Sequence, residues 1–283
     1  MKRAVLLIGW LTALAHAPSV SAASLGDRLP GHPGVTSFDL ARLVVPDLVN
    51  GPDGATGHKV VAYRHIGAKA MLASPEDPIN LSSDAVDLMA VPGRADRILA
   101  LIDLGPSDES VEEAEVLGLY ALGPKLRLLD VVEVGNDRWT GVESKNPPML
   151  APRAPLIEVD SGHSNSNESY NSTELIFLRG DRFQLIDSLF TLNESFCAFE
   201  RTQEPSYRAI AGPGPYRGLE VSVRETVKLS GETGCTDQKP PRRGGVHVYK
   251  GVYRWDAAKG RFVARSKALD AVAALTEKRM EGP

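Results

Sequence analysis

Two stretches of this chain align without a gap at an offset of 57 residues: 119–130 (LYALGPKLRLLD) and 176–187 (IFLRGDRFQLID). Each runs apolar, turns at a glycine (Gly123, Gly180), resumes two positions after it with a basic residue (Lys125, Arg182), alternates apolar residues and closes on an aspartate (Asp130, Asp187). Glycine supplies the backbone freedom a tight turn needs, and alternation at a period of two puts one face of the returning segment inside. Both stretches are predicted β-hairpins. A weaker copy occupies 252–263, and a fainter echo lies at 97–103 (RILALID). Repetition of one hairpin design predicts a mainly β, antiparallel fold, either a small propeller of hairpin blades or a two-sheet sandwich.

The segment 219–230 (LEVSVRETVKLS) supports the same class. Its odd positions are apolar except Glu225 and its even positions polar, the pattern of a half-buried antiparallel strand. Glu225 interrupts the apolar row and reads as a bulge or an edge-strand gatekeeper. The segment 59–66 (KVVAYRHI) has strand composition, whereas 143–155, 204–218 and 239–245 are rich in proline and glycine and read as loops. Helices are expected only at the two ends: a short one capped by Thr36 or Ser37 and stopped by Pro46, and a longer one capped by Ser266.

The first residues carry a different pattern. Lys2 and Arg3 precede an apolar run over 4–17, and Val20, Ser21, Ala22 and Ala23 are small or short, the order of a cleavable export signal. Pro18 and Ser19 stop the run short of a membrane-spanning length. Cleavage after Ala22 leaves 23–283 as one β-rich domain, with at most a minor boundary near 143–155, in the periplasm or outside the cell. Losing Lys2 and Arg3 moves the formal net charge from −4 to −6. A mildly acidic chain is a poor nucleic-acid or anionic-membrane binder, since both need a basic face, and no later segment predicts a membrane span. Both cysteines, Cys197 and Cys235, fall in the exported part, where an oxidising compartment favours their pairing.

No nucleophile elbow, HExxH, P-loop or GxGxxG sequence is present. The densest set of polar donors is 160–174 (DSGHSNSNESYNSTE), with Asp160, His163, Asn165, Asn167, Glu168 and Asn171 within twelve residues. It reads as a solvated connecting loop or as a ligand-binding one. For a hard cation such as Ca²⁺, Asp160 and Glu168 would supply charge and Asn165, Asn167 or His163 would complete the shell. Four Asn-x-Ser/Thr sequons, at Asn80, Asn167, Asn171 and Asn193, matter only in a host that glycosylates. Along 246–255, His247, Tyr249, Gly251, Tyr253 and Trp255 share one strand face, a core row or a stacking platform for a flat ligand.

Phe38-Asp39-Leu40 followed by Val44-Val45-Pro46-Asp47-Leu48, the His163-Ser164-Asn165-Ser166 segment before Tyr170, and Tyr253-Arg254-Trp255 together resemble a group of uncharacterised exported proteobacterial proteins. The resemblance spans most of the mature chain and implies a Gram-negative periplasmic location, with no activity to carry over. The sequence therefore predicts a non-enzymatic binding or accessory protein for an envelope ligand, whether a small molecule, a glycan or another protein. The alternative is an envelope-acting hydrolase whose carboxylates, such as Asp160, Glu168 or Glu225, meet only in the fold.

Overall fold

The computed structural model describes residues 20–67, 74–107, 113–135, 137, 139–143, 146–232, 234–235 and 240–280. Most of the export signal, 1–19, lies outside them. The described N-terminal half comprises β1 (Val20–Ala23), β2 (Arg28–Leu29), β3 (His32–Thr36), α1 (Ser37–Val44), β4 (Val49–Gly51), β5 (Gly54–Gly57), β6 (Arg64–His65), β7 (Ile79–Ser82), β8 (Val86–Ala90), β9 (Arg97–Pro106), β10 (Glu113–Leu122) and β11 (Leu126–Gly135). The rest comprises β12 (Trp139–Glu143), β13 (Met149–Ala151), β14 (Ala154–Ser164), β15 (Glu168–Arg179), β16 (Arg182–Phe196), β17 (Phe199–Ile210), β18 (Gly218–Leu229), β19 (Gly245–Asp256), β20 (Arg261–Ala264) and α2 (Ala268–Met280).

Among the described residues, sheet 1 runs β1-β8-β9-β10-β11-β6 and is antiparallel except for β6 on β11. Sheet 2 runs β12-β14-β15-β16-β17-β18-β19-β20, with β13 also on β14. The expected hairpins are β10–β11, β15–β16 and β19–β20, and Gly180 turns the second at a φ of 63°. The mainly β antiparallel class with two terminal helices is thus observed. Of its two arrangements, the sheets stack face to face. A propeller would need each sheet to end after about four strands, and hydrogen bonding here runs unbroken from β12 to β20.

Among the described residues three apolar cores hold four layers together. The first joins Leu40, Ala41 and Val44 of α1 to Val86, Ala100, Ile102, Val116 and Tyr120 on one face of sheet 1. The second joins the other face, Leu99, Leu101, Leu117, Leu119 and Val132, to Ile157, Val159, Ile176 and Phe183 of β14–β16. The third joins the far face of β14–β16, Leu156, Leu175, Phe177 and Leu189, to Val221, Val223, Tyr253, Phe262 and Leu269. Burial on both faces is why β9 and β15 read as unbroken apolar runs, ILALI and LIFL.

Several local expectations change. The stretch 59–66 contributes only Arg64 and His65 as a strand. Residues 204–210 belong to β17 and not to a loop. Pro205 is tolerated there because β16 pairs with β17 only over 194–196, so the proline's missing N–H faces no neighbour on that side. Thr36 caps α1, its hydroxyl accepting from Asp39 N (3.3 Å) while its own N–H donates to the Asp39 carboxylate (2.8 Å). Ser266 caps nothing; its hydroxyl donates to the Lys250 carbonyl (3.3 Å) and α2 begins two residues later.

Glu225 is neither in a bulge nor on an edge. It stays in register between β17 and β19, only 4% exposed, where Arg279 Nη1 (2.7 Å) and Gln203 Nε2 (2.9 Å) donate to it. Burial would raise its pKa, but these bonds and the Arg279 and Arg201 charges hold it below the usual range. Cys197 and Cys235 are joined, tying the β16–β17 turn to the loop after β18.

Candidate cleft between the two sheets

The segment 160–171 is not a connecting loop but the end of the β14–β15 hairpin, with strand pairing continuing to Ser164 and Ser169. Pleating therefore divides its donors between two faces. Asp160 and Asn171 lie on one, where Asn171 Nδ2 (3.1 Å) and the Thr173 hydroxyl donate to Asp160. Burial raises the Asp160 pKa against these bonds. Glu158, two residues back on that face, is pushed up to about 8 by burial, Asp160 and Glu143. Asn165 closes the turn on itself, its Oδ1 accepting the N–H groups of Asn167 and Glu168 (both 2.9 Å). Asn165, Asn167 and Glu168 line a hollow of about 460 Å³ with Glu194 and Arg201, but Arg201 is already paired with Glu194.

His163 faces the other way. Its Nδ1 lies 3.3 Å from Asp137 Oδ1, and the Tyr170 hydroxyl donates to Asp137 Oδ2 (2.6 Å). The Asp137 N–H in turn donates to Ser161 Oγ (3.0 Å). Trp139, His163, Tyr170 and Phe190 form a row with ring centroids 5.6 to 6.2 Å apart. Among the described residues, the only three His, Cys, Asp or Glu side chains that converge at metal-ligand spacing are Cys197, Glu232 and Cys235, whose sulfurs form the disulfide. The structure does not gather Asp160 and Glu168 into a cation shell. Nor does it bring either to Glu225.

Carboxylates do meet elsewhere. Between sheet 1 and β12 lies a cleft of about 280 Å³ lined by Asp84, Asp87, Asp103, Glu113, Glu115 and Trp139. The apolar rows of the second core lead into it: Leu99 and Leu101 on β9 continue to Asp103, and Leu119 and Leu117 on β10 continue to Glu115. Asp103 and Glu115 are direct cross-strand partners, and Asp87 stands on β8 beside Leu101. On the opposite wall the Thr140 hydroxyl bonds Glu115 and reaches Ser161 Oγ (3.0 Å). Trp139 is 58% exposed.

Burial sets the electrostatics. Glu115, 4% exposed, has its pKa raised well above the usual range, first by burial and then by Asp103. Burial also raises Asp103, more than the Gly105 N–H at 2.7 Å lowers it, and it raises Asp87 with help from Asp84. A positive group inside would reverse each shift, since opposite charge stabilises the ionised form.

The sequence reading missed Asp87, Asp103, Glu115 and Trp139. A signal was present: on two strands an acidic residue ends an alternating apolar row, as Glu225 interrupts one on β18. Along β19, Tyr253 and Trp255 pack against Phe177, Tyr216 and Phe262, so that aromatic row is core at this end, while His247 is exposed. Among the described residues no helix is long and apolar enough to cross a membrane. Comparison with family models, with characterised proteins and with solved structures finds no match to this chain.

Proposed function

We propose that this is an exported binding protein of the periplasm or extracellular space whose ligand brings a positively charged group into the cleft beside Trp139. The reading is carried by one observation, the gathering of Asp84, Asp87, Asp103 and Glu115 in a single cleft walled by an exposed indole. A cation there gains attraction from carboxylates in low dielectric and from the face of the ring. The disulfide fits an oxidising compartment, and the N-terminal pattern and the resemblance to exported proteobacterial proteins support the location.

Isothermal titration with spermidine and with arginine amide tests the reading. Binding is expected to weaken by about tenfold or more in Asp103→Asn with Glu115→Gln, since each lost charge contact is worth on the order of 1 kcal/mol. Because the raised carboxyls must shed protons to accept a cation, affinity should rise as pH rises and fall with acid. Absence of binding, or binding indifferent to both substitutions, overturns it. A second reading, a glycoside hydrolase, is favoured by two carboxyl groups standing opposite each other in one cleft, Glu115, whose pKa burial raises well above the usual range, and Asp103. It requires turnover of chromogenic glycosides that Glu115→Gln abolishes.

A further inference from the structure

We propose that removal of residues 1–22 opens the β8 edge of sheet 1 to an extended segment of a partner protein that carries a basic residue into the cleft. The inference rests on the reading of the chain as an exported protein cleaved after Ala22, and on the cationic ligand proposed for the cleft.

The edge is seen with an occupant. In the uncleaved chain β1 lies antiparallel on β8, with Val20 opposite Met89, Ser21 opposite Leu88, Ala22 opposite Asp87 and Ala23 opposite Val86. On its other side β8 pairs with β9, so among the described residues β1 alone pairs with this edge. Cleavage after Ala22 takes three of the four β1 residues and leaves the outward N–H and C=O groups of β8 as a template for another strand. The chain's own residues prove the fit: an extended backbone of small residues seats there in regular register.

The register also dictates what an incoming strand should carry. Cross-strand partners share a face of the sheet. The position opposite Asp87 therefore shares the face of Asp87, which lines the cleft with Asp84, Asp103 and Glu115. Lysine or arginine at that position is matched in charge to this wall. Both neighbours of that position share the face that packs on the first core: the one opposite Leu88 is freed by cleavage, and the one opposite Val86 is kept by Ala23, which is buried there. A small or short apolar residue suits the freed one. The segment selected is thus a small residue followed by a basic one, in extended conformation, ending where Ala23 begins. The main-chain bonds are indifferent to sequence, and Asp87 supplies the preference.

Two forms of the chain distinguish the outcomes, one beginning at Ala23 and one beginning at Pro18, which retains β1. The probes are a fluorescent nonapeptide amide ending in Val-Ser-Lys, the same peptide with glutamate for lysine, and spermidine. The lysine peptide is expected to bind the Ala23 form about tenfold or more tightly than the Pro18 form, whose edge is filled, and about tenfold more tightly than the glutamate peptide. Asp87→Asn should bring the two peptides to within about threefold of each other. Equal binding to both forms, or no binding to the Ala23 form, overturns the proposal, as does an exported protein whose N-terminus by mass spectrometry retains Val20. If spermidine still binds while the peptide does not, the edge proposal fails alone. If neither binds, the cleft reading falls with it.

Discussion

Glu158 shows how far a single side chain can be read. Its pKa is pushed up to about 8 because it is partly buried beside Asp160 and Glu143. The folded chain therefore keeps a proton that the unfolded chain gives up in the ordinary carboxylate range. Stability from this group is fully present below that range and is lost as pH rises toward 8. Glu158→Gln, neutral at every pH, should raise the melting temperature by roughly 2–4 °C at pH 9 and change it little at pH 4. Calorimetry across that range checks it, and a constant difference between the two proteins would refute the assignment. Such a residue is not legible in sequence, because its burial and the approach of Glu143 both come from how the strands pair and pack. The same holds for Glu225: its break in the β18 row is plain, but its partners Gln203 and Arg279 lie 22 and 54 residues away.

At the scale of elements, period and turn chemistry carry most of the information. The β10–β11 and β15–β16 hairpins, β18 and α1 stand where alternation, glycine and a capping threonine put them. What local pattern misses is pairing that overrides composition. Polar residues 160–164 and 168–174 look like a loop, yet they zip together because each backbone bond is satisfied regardless of side chain. Pro205 looks like a strand breaker, yet the peeling of β16 from β17 removes its conflict. The disulfide is the element-level feature most open to measurement. It closes a separation of 38 residues between the turn after β16 and the loop after β18. Replacing both cysteines by serine should cost about 4 kcal/mol of unfolding free energy through the loosened unfolded chain. Chemical denaturation showing a loss below about 1 kcal/mol would mean that the surrounding strands already fix this loop in the unfolded ensemble.

For the whole molecule, the cleft exists because two stacked sheets do not end together: the apolar rows of β9 and β10 run out at Asp103 and Glu115 while Trp139 and Thr140 of β12 stand opposite. No single segment contains that arrangement, which explains why residues far apart in sequence, Asp87 and Trp139 among them, gave no joint motif. The layering also governs how the molecule opens. β14, β15 and β16 have one core on each face, so no amide near Ile157, Leu175, Ile176 or Phe177 can meet solvent without disrupting both. Their deuterium uptake should be the slowest in the chain and should follow global unfolding as denaturant is added. The strands β9 and β10, between the first and second cores, share that protection, whereas β18–β20, packed on the third core by one face only, should label earlier. If β14–β16 and β18–β20 exchange at one rate, the four layers open as a single unit, and the inner strands do not act as the timer that decides how long the folded chain persists.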